Sequence, residues 1–278
     1  MAIWAGSDCK SFRHDSARKE VVMSNNYIVG SIDVAELALI LFFLFFLGLV
    51  FWLRREDRRE GYPLEDEMTG AVETAGGPLH TAPTKAFKLP FGRGTVTAPT
   101  KGREPVKIAA KRFENFGGSP YVPTGNPLKD GVGPAAYAER SNWPDQDAHG
   151  NLRIVPMSSA AGFSVASFLF SRNPVGMKVT GADGKVAGKV SDLWVDRAES
   201  MARYLEIDTG SGSVLAPMAM AVVHADHVEI DAINAADFAD APKLATAGQV
   251  TRLEEDKICG YFGGGYLYAN RSRQEPII

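Results

Sequence analysis

Cysteine is nearly absent from this chain, with only Cys9 and Cys259 present. Two thiols so far apart offer no framework of cross-links and no thiol cage for a metal. Histidine is also sparse: His14, His80, His149, His224 and His227 lie scattered along the sequence. Net charge is −3, so there is no excess of positive charge to attract nucleic acid. No HExxH, GxSxG or phosphate-loop pattern occurs, and the Gly260–Gly265 run follows an expected helix where a phosphate loop would precede one. These absences leave little room for an autonomous hydrolase, metalloenzyme or nucleotide-binding enzyme. We expect a non-enzyme without a resident metal. Long apolar runs are rare as well, and there is one.

That run, Leu37 to Leu53, reads LALILFFLFFLGLVFWL and carries no charge. At about 1.5 Å per residue it approaches the roughly 30 Å of a bilayer's hydrocarbon core, and Val34 and Ala35 supply a further turn. It is apolar on every side, which a helix half-buried in a soluble core would not be. Asp33 and Glu36 suit the headgroup level and the positive end of a helix, Ser31 is a candidate N-cap, and Trp52 suits the far interface. A small-residue cleavage site is missing; Arg54 and Arg55 follow instead, so a spanning helix over 31–54 is expected rather than a cleaved leader. Arg54, Arg55, Arg58 and Arg59 mark the membrane interface and place the C-terminal side in the cytoplasm, with the N-terminus outside. Lys10, Arg13, Arg18 and Lys19 weaken that asymmetry but are interspersed with Asp8, Asp15 and Glu20. In this topology the two cysteines sit on opposite sides of the membrane and cannot pair.

The rest divides by composition. Residues 1–30 read as a polar tail, and Met23 would make a natural start of its own. Residues 55–160 hold most of the prolines, from Pro63 to Pro156, which break helices and central strands. They also hold Phe87, Leu89, Phe91, Ile108, Phe113, Phe116, Tyr121, Tyr137 and Trp143. An extended segment lying on another protein suits that mixture better than a free linker. Over 161–240 short apolar–polar alternations separated by turns predict a small antiparallel barrel or sandwich: Met177–Thr180 and Lys185–Asp196 as a hairpin, then Tyr204–Asp208, Ser213–Ala216, Ala221–His224 and Val228–Ile230. Residues 241–278 follow as a C-terminal helix and tail. From Thr246 the pattern becomes helical, with Val250, Leu253, Glu254, Lys257, Ile258 and Tyr261, and Gly263 to Gly265 are expected to end the helix.

Several local sequences are distinctive: REGYPLE at Arg59–Glu65, LPFGRGTVTAPT at Leu89–Thr100, PTGNPLKDGVGPAAYAER at Pro123–Arg140, DLWVDRAESMARYLE at Asp192–Glu206, and LEEDKICGYFGGGYLYA at Leu253–Ala269. In this order they make the chain resemble the H subunit of purple bacterial photosynthetic reaction centres, from about Ser31 to Ala269. The resemblance implies a single N-terminal transmembrane helix plus a cytoplasmic, mainly-β PRC-barrel domain with a C-terminal helix, in the photosynthetic intracytoplasmic membrane. It implies L and M subunits as partners, with a light-harvesting ring, a cytochrome subunit and membrane lipids as further candidates, and no nucleic acid. No cofactor is expected on this chain; bacteriochlorophyll, bacteriopheophytin, quinones and non-haem iron would lie in the partners. The implied role is to cap the L/M core and conduct protons to the secondary quinone. A membrane-anchored barrel adaptor of some other complex is the alternative.

Quinone reduction consumes protons, and a buried quinone needs a relay of groups whose pKa can be tuned. Two clusters answer that need. Asp145, Asp147 and His149 lie in the loop NWPDQDAHGN; the resemblance assigns Asp147 and His149 to surface proton uptake. Asn151 stands where some relatives carry a second histidine, which would leave uptake to His149 and the carboxylates. Asp196 and Glu199, in WVDRAESMAR, match the family's inner relay, and Arg203 is expected to pair with a carboxylate and set its pKa. Without the resemblance, the first cluster reads as a solvated loop and the second as a salt-bridged turn. His224 and His227 read as non-ligating because no third ligand is evident. Glu254, Glu255, Asp256 and Lys257 read as a solvated helix face.

Overall fold

A computed structural model describes residues 27–29, 32–61, 64–71, 82–99, 107–166 and 172–274. Residues 1–26, Ser31, His80 and the Tyr62–Pro63 pair of REGYPLE lie outside the described residues. The chain forms two compact units.

The first unit opens with β1 (Tyr27–Val29) and β2 (Ile32–Asp33), which pair antiparallel. Helix α1 (Val34–Glu56) follows. Among the described residues it is the one helix long and apolar enough to cross a membrane, and none of its residues is buried. Asp33 is the N-cap in place of Ser31: its side chain accepts a hydrogen bond from the Glu36 N–H at 2.8 Å. The helix also runs two residues past the expected Arg54. Arg54 and Arg55 therefore sit in its last turn, where the negative end of the helix dipole favours them. Arg59 then turns back on Glu56 (2.7 Å) and donates to the carbonyls of Pro83 (2.6 Å) and Ala98 (2.9 Å). It ties the helix end to the base of a hairpin made of β3 (Lys85–Lys88) and β4 (Thr95–Ala98).

The second unit contains the barrel. A short hairpin, β5 (Ala110–Arg112) and β6 (Tyr121–Pro123), is followed by the one-turn helix α2 (Pro127–Asp130), capped by Asn126. A seven-stranded sheet comes next: β7 (Ile154–Pro156), β8 (Lys178–Thr180), β9 (Val186–Asp196), β10 (Met201–Asp208), β11 (Ser213–Pro217), β12 (Val222–Val223) and β13 (His227–Glu229). The strand order is β11-β10-β9-β8-β13-β12, with β7 also pairing β9. Register shifts between Ala202 and Tyr204 and between Glu206 and Ile207 add twist to the long β9–β10 ladder, and the sheet curls into a half-barrel. The expected hairpin β8–β9 is present. One pairing departs from the antiparallel expectation: β8 and β13 run parallel, because the chain leaves β10–β11 and returns to the opposite edge of the hairpin.

Inside the curl lie Val179, Val190, Trp194, Leu205, Ile207, Leu215 and Ile230, all but fully buried. Helix α3 (Arg252–Tyr268) closes the core with Ile258, Tyr261 and Phe262. Its start is a capping box of Thr251 and Glu254. Contrary to expectation, Gly263 to Gly265 do not end it; they lie inside it. A Cβ at Gly264 would come within 2.8 Å of the Ala135 Cα, and one at Gly265 within 2.9 Å of the Ala232 carbonyl carbon. These glycines let the helix pack on neighbouring backbone, which outweighs their low helix propensity.

Candidate functional site

Strand β7 pairs antiparallel with β9, setting Ile154 opposite Asp196. The Arg197 N–H donates to the Arg153 carbonyl at 2.8 Å and fixes the same junction. The loop holding the first charged cluster is thereby brought to the turn holding the second. Arg153 reaches all three acids: its Nη2 stands 2.8 Å from Asp196 Oδ2 and 3.4 Å from Glu199 Oε1, and its Nη1 3.8 Å from Asp145 Oδ2. Arg252, at the start of α3, donates to Asp145 at 2.6 Å.

Asp196 ends β9 with its side chain 1% exposed. Burial by itself would raise its pKa, but N–H bonds from Ala198 (2.9 Å) and Glu199 (3.2 Å), together with the Arg153 guanidinium, more than offset this and hold the carboxyl below its ordinary value. Arg203 pairs with Glu199 at 2.8 Å and lies 3.5 Å from Asp196. It is a carboxylate partner as expected, but Arg153, which the sequence did not single out, is the closer guanidinium to Asp196. Glu199 bridges both arginines with its side chain half exposed.

Asp147 and His149 lie in the same loop but outside this ion-pair network. Asp147 closes its own turn: it accepts from the Asn151 side-chain amide (3.0 Å), the Asn151 N–H (2.8 Å) and the His149 N–H (2.8 Å). Led by the Asn151 amide, these bonds hold its pKa below the usual aspartate value. Asn151, which has no titratable proton and is expected to leave uptake to His149 and the carboxylates, thus helps hold Asp147 anionic.

The Glu254–Lys257 run is not a solvated face. Glu254 accepts from the Thr251 N–H at 2.8 Å, Asp256 pairs with Arg140 at 3.4 Å, and the Lys257 ammonium lies over the Tyr137 ring. Glu255 turns inward and accepts from the Tyr204 hydroxyl at 2.8 Å. Burial raises the pKa of Glu255, against the lowering effect of that hydrogen bond, and burial pushes the Tyr204 phenol far above its usual range. The signal was present in the spacing: Glu255, Ile258 and Phe262 share one helix stripe, which places a carboxylate on the buried side. The reading of His224 and His227 without a third ligand is also corrected, since Glu229 lies beside them.

Of the four interface arginines, Arg59 is held by internal partners with its side chain only 10% exposed, and Arg54 pairs with Asp57 at 3.7 Å.

A bilayer-length N-terminal helix and a curled sheet closed by a helix define a membrane-associated protein of the PRC-barrel class: residues 167–236 match the family model described as PRC-barrel domain. Residues 26–159 match the model described as photosynthetic reaction centre, H-chain N-terminal region. The two matches follow one another along the chain, and together they support an H subunit of a photosynthetic reaction centre.

Proposed function

We propose that this chain caps the cytoplasmic face of the L and M subunits of a photosynthetic reaction centre and conducts protons toward the secondary quinone. The observation that carries the proton-conducting reading is the convergence of Asp145, Asp196 and Glu199 on Arg153, which links one acid of the first cluster to both acids of the second. Protons enter at His149, near Asp147, and pass inward by Asp145 to Asp196 and Glu199. Glu199, half exposed, is the inner carboxylate that solvent reaches. Asp196, held anionic, acts through its charge by stabilising protons on its neighbours.

The capping reading draws on the family and on apolar side chains exposed in the isolated chain. Phe87, Phe91, Ile108, Phe113, Phe116 and Trp143 are each more than two-fifths exposed, an arrangement suited to a large permanent partner. On this reading residues 55–160 lie along L and M, 161–240 form the barrel, and Arg54, Arg55 and Arg58 face the cytoplasmic headgroups. Pigments, quinones and iron belong to the partners.

The test is Glu199→Gln in the assembled complex. Assembly and the first electron transfer to the secondary quinone should be unchanged, while the second, proton-coupled transfer slows. Unchanged quinone kinetics in an intact complex would remove Glu199 from the rate-limiting path.

A further inference from the structure

We propose that His224, His227 and Glu229 bind a divalent transition-metal ion of the zinc or copper type, at a site separate from the charged network above.

The site is built by one hairpin. Strand β12 pairs with β13 so that Val222 faces Glu229 and Val223 faces Val228, and the His224 N–H donates to the His227 carbonyl at 2.9 Å. Paired positions project on the same side of a sheet, so this register places His224, His227 and Glu229 on one face. The loop of Ala225 and Asp226 between them is as short as hairpins commonly allow, which fixes the spacing of the two histidines. Their rings stack with centroids 4.6 Å apart. His224 Nε2 lies 3.0 Å from Glu229 Oε2, and one potential ligand atom from each of the three residues falls within 4.8 Å of the others.

A second feature points the same way. Asp226 Oδ1 stands 2.9 Å from His227 Nδ1. A carboxylate on that nitrogen fixes the ring and leaves Nε2 as the free ligand, which is the arrangement that orients histidines around bound metals. Two imidazoles and one carboxylate suit zinc or copper, whereas magnesium and calcium prefer all-oxygen sites. All three side chains are partly exposed, so an ion can reach them and water can fill its remaining positions. Lys178 and Lys189 line the neighbouring concavity, and the charges of Glu229 and Asp226 offset theirs.

The test uses the full-length chain in detergent, with whatever subunits co-purify, and the metal alone as probe. His149→Asn serves as the background, because it removes the remaining histidine among the described residues. Cu2+ is added at one equivalent and its coordinated imidazoles are counted by pulsed electron paramagnetic resonance; Zn2+ affinity is measured by competition. Two imidazoles are expected, falling to one in His224→Asn or His227→Asn. Asp226→Asn keeps all three ligands and the hairpin, and should weaken Zn2+ binding by about 10–100-fold. Fewer than two imidazoles in the background protein, or affinity unchanged by both His227→Asn and Asp226→Asn, overturns the proposal. The outcome is independent of the quinone kinetics.

Discussion

Arg153 Nη2 donates to Asp196 Oδ2 over 2.8 Å, although the two residues are 43 positions apart. The bond joins β7 to the end of β9 and neutralises a carboxylate that has almost no contact with water. Arg153→Gln should therefore weaken the barrel by about 2 kcal/mol, the scale of a hydrogen bond to a charged group. Fluorescence of the buried Trp194 during denaturation would report it. The pH dependence has a definite sign. Asp196 has a depressed folded pKa, so its stabilisation is present above the unfolded value of about 3.9 and is lost as pH falls through the folded one. In Arg153→Gln the folded value rises toward the unfolded one, so less of that stabilisation remains and its loss on acidification is complete at a higher pH. An unchanged acid limb would mean that the two backbone N–H groups alone hold the charge.

Asn151→Ala removes the first of the bonds that depress Asp147. The Asp147 pKa should move upward toward the ordinary aspartate value, read from the pH dependence of its carboxyl carbon chemical shift. Because Asp147 lies at the surface, little change in stability should accompany the shift. A fixed midpoint would show that the backbone N–H bonds from His149 and Asn151 suffice.

The α3 glycines separate two roles that composition cannot. Gly264→Ala places a Cβ against the Ala135 backbone and should cost about 1–3 kcal/mol, as overpacking does. At Gly263 the nearest atom to an added Cβ is the Pro134 carbonyl oxygen at 3.8 Å, so Gly263→Ala should stabilise the helix by about 1 kcal/mol. Opposite shifts in the barrel's unfolding midpoint are expected from two adjacent, chemically identical changes.

The same glycines show how far the sequence was legible. Local signals carried the long apolar helix and the β8–β9 hairpin, because each rests on periodicity or turn residues within a few positions, whereas the pattern read as helical from Thr246 becomes a helix only at Arg252. Runs of glycine usually punctuate, and here the reason for them is a backbone remote in sequence, Ala135. Arg153 was missed for the same reason, since nothing near it in the chain announces Asp196. The Asp145 and Asp196 clusters were legible as clusters, but that they form one network depends on the β7–β9 pairing. Glu229 was overlooked because the hairpin register, and not simple spacing, brings it to the two histidines.

Glu255 offers the last prediction. Its carboxyl sits under Tyr204 at the edge of the core, and burial raises its folded pKa. A raised carboxylate works against stability as pH increases: the unfolded chain releases its proton near 4.3, while the folded chain holds on until a higher value. Between those two points folding loses free energy, and above the folded pKa the loss is complete. Glu255→Gln keeps the size of the side chain and a carbonyl oxygen to accept from the Tyr204 hydroxyl, but it has no proton to lose. The variant should match the parent in mildly acidic solution and exceed it in thermal stability at neutral pH, with the difference opening as pH rises through the folded pKa of Glu255. If the difference is instead constant with pH, the charge of Glu255 is already compensated in the folded state. If the variant is the weaker protein at neutral pH, the ionised Glu255–Tyr204 bond contributes more than its desolvation costs.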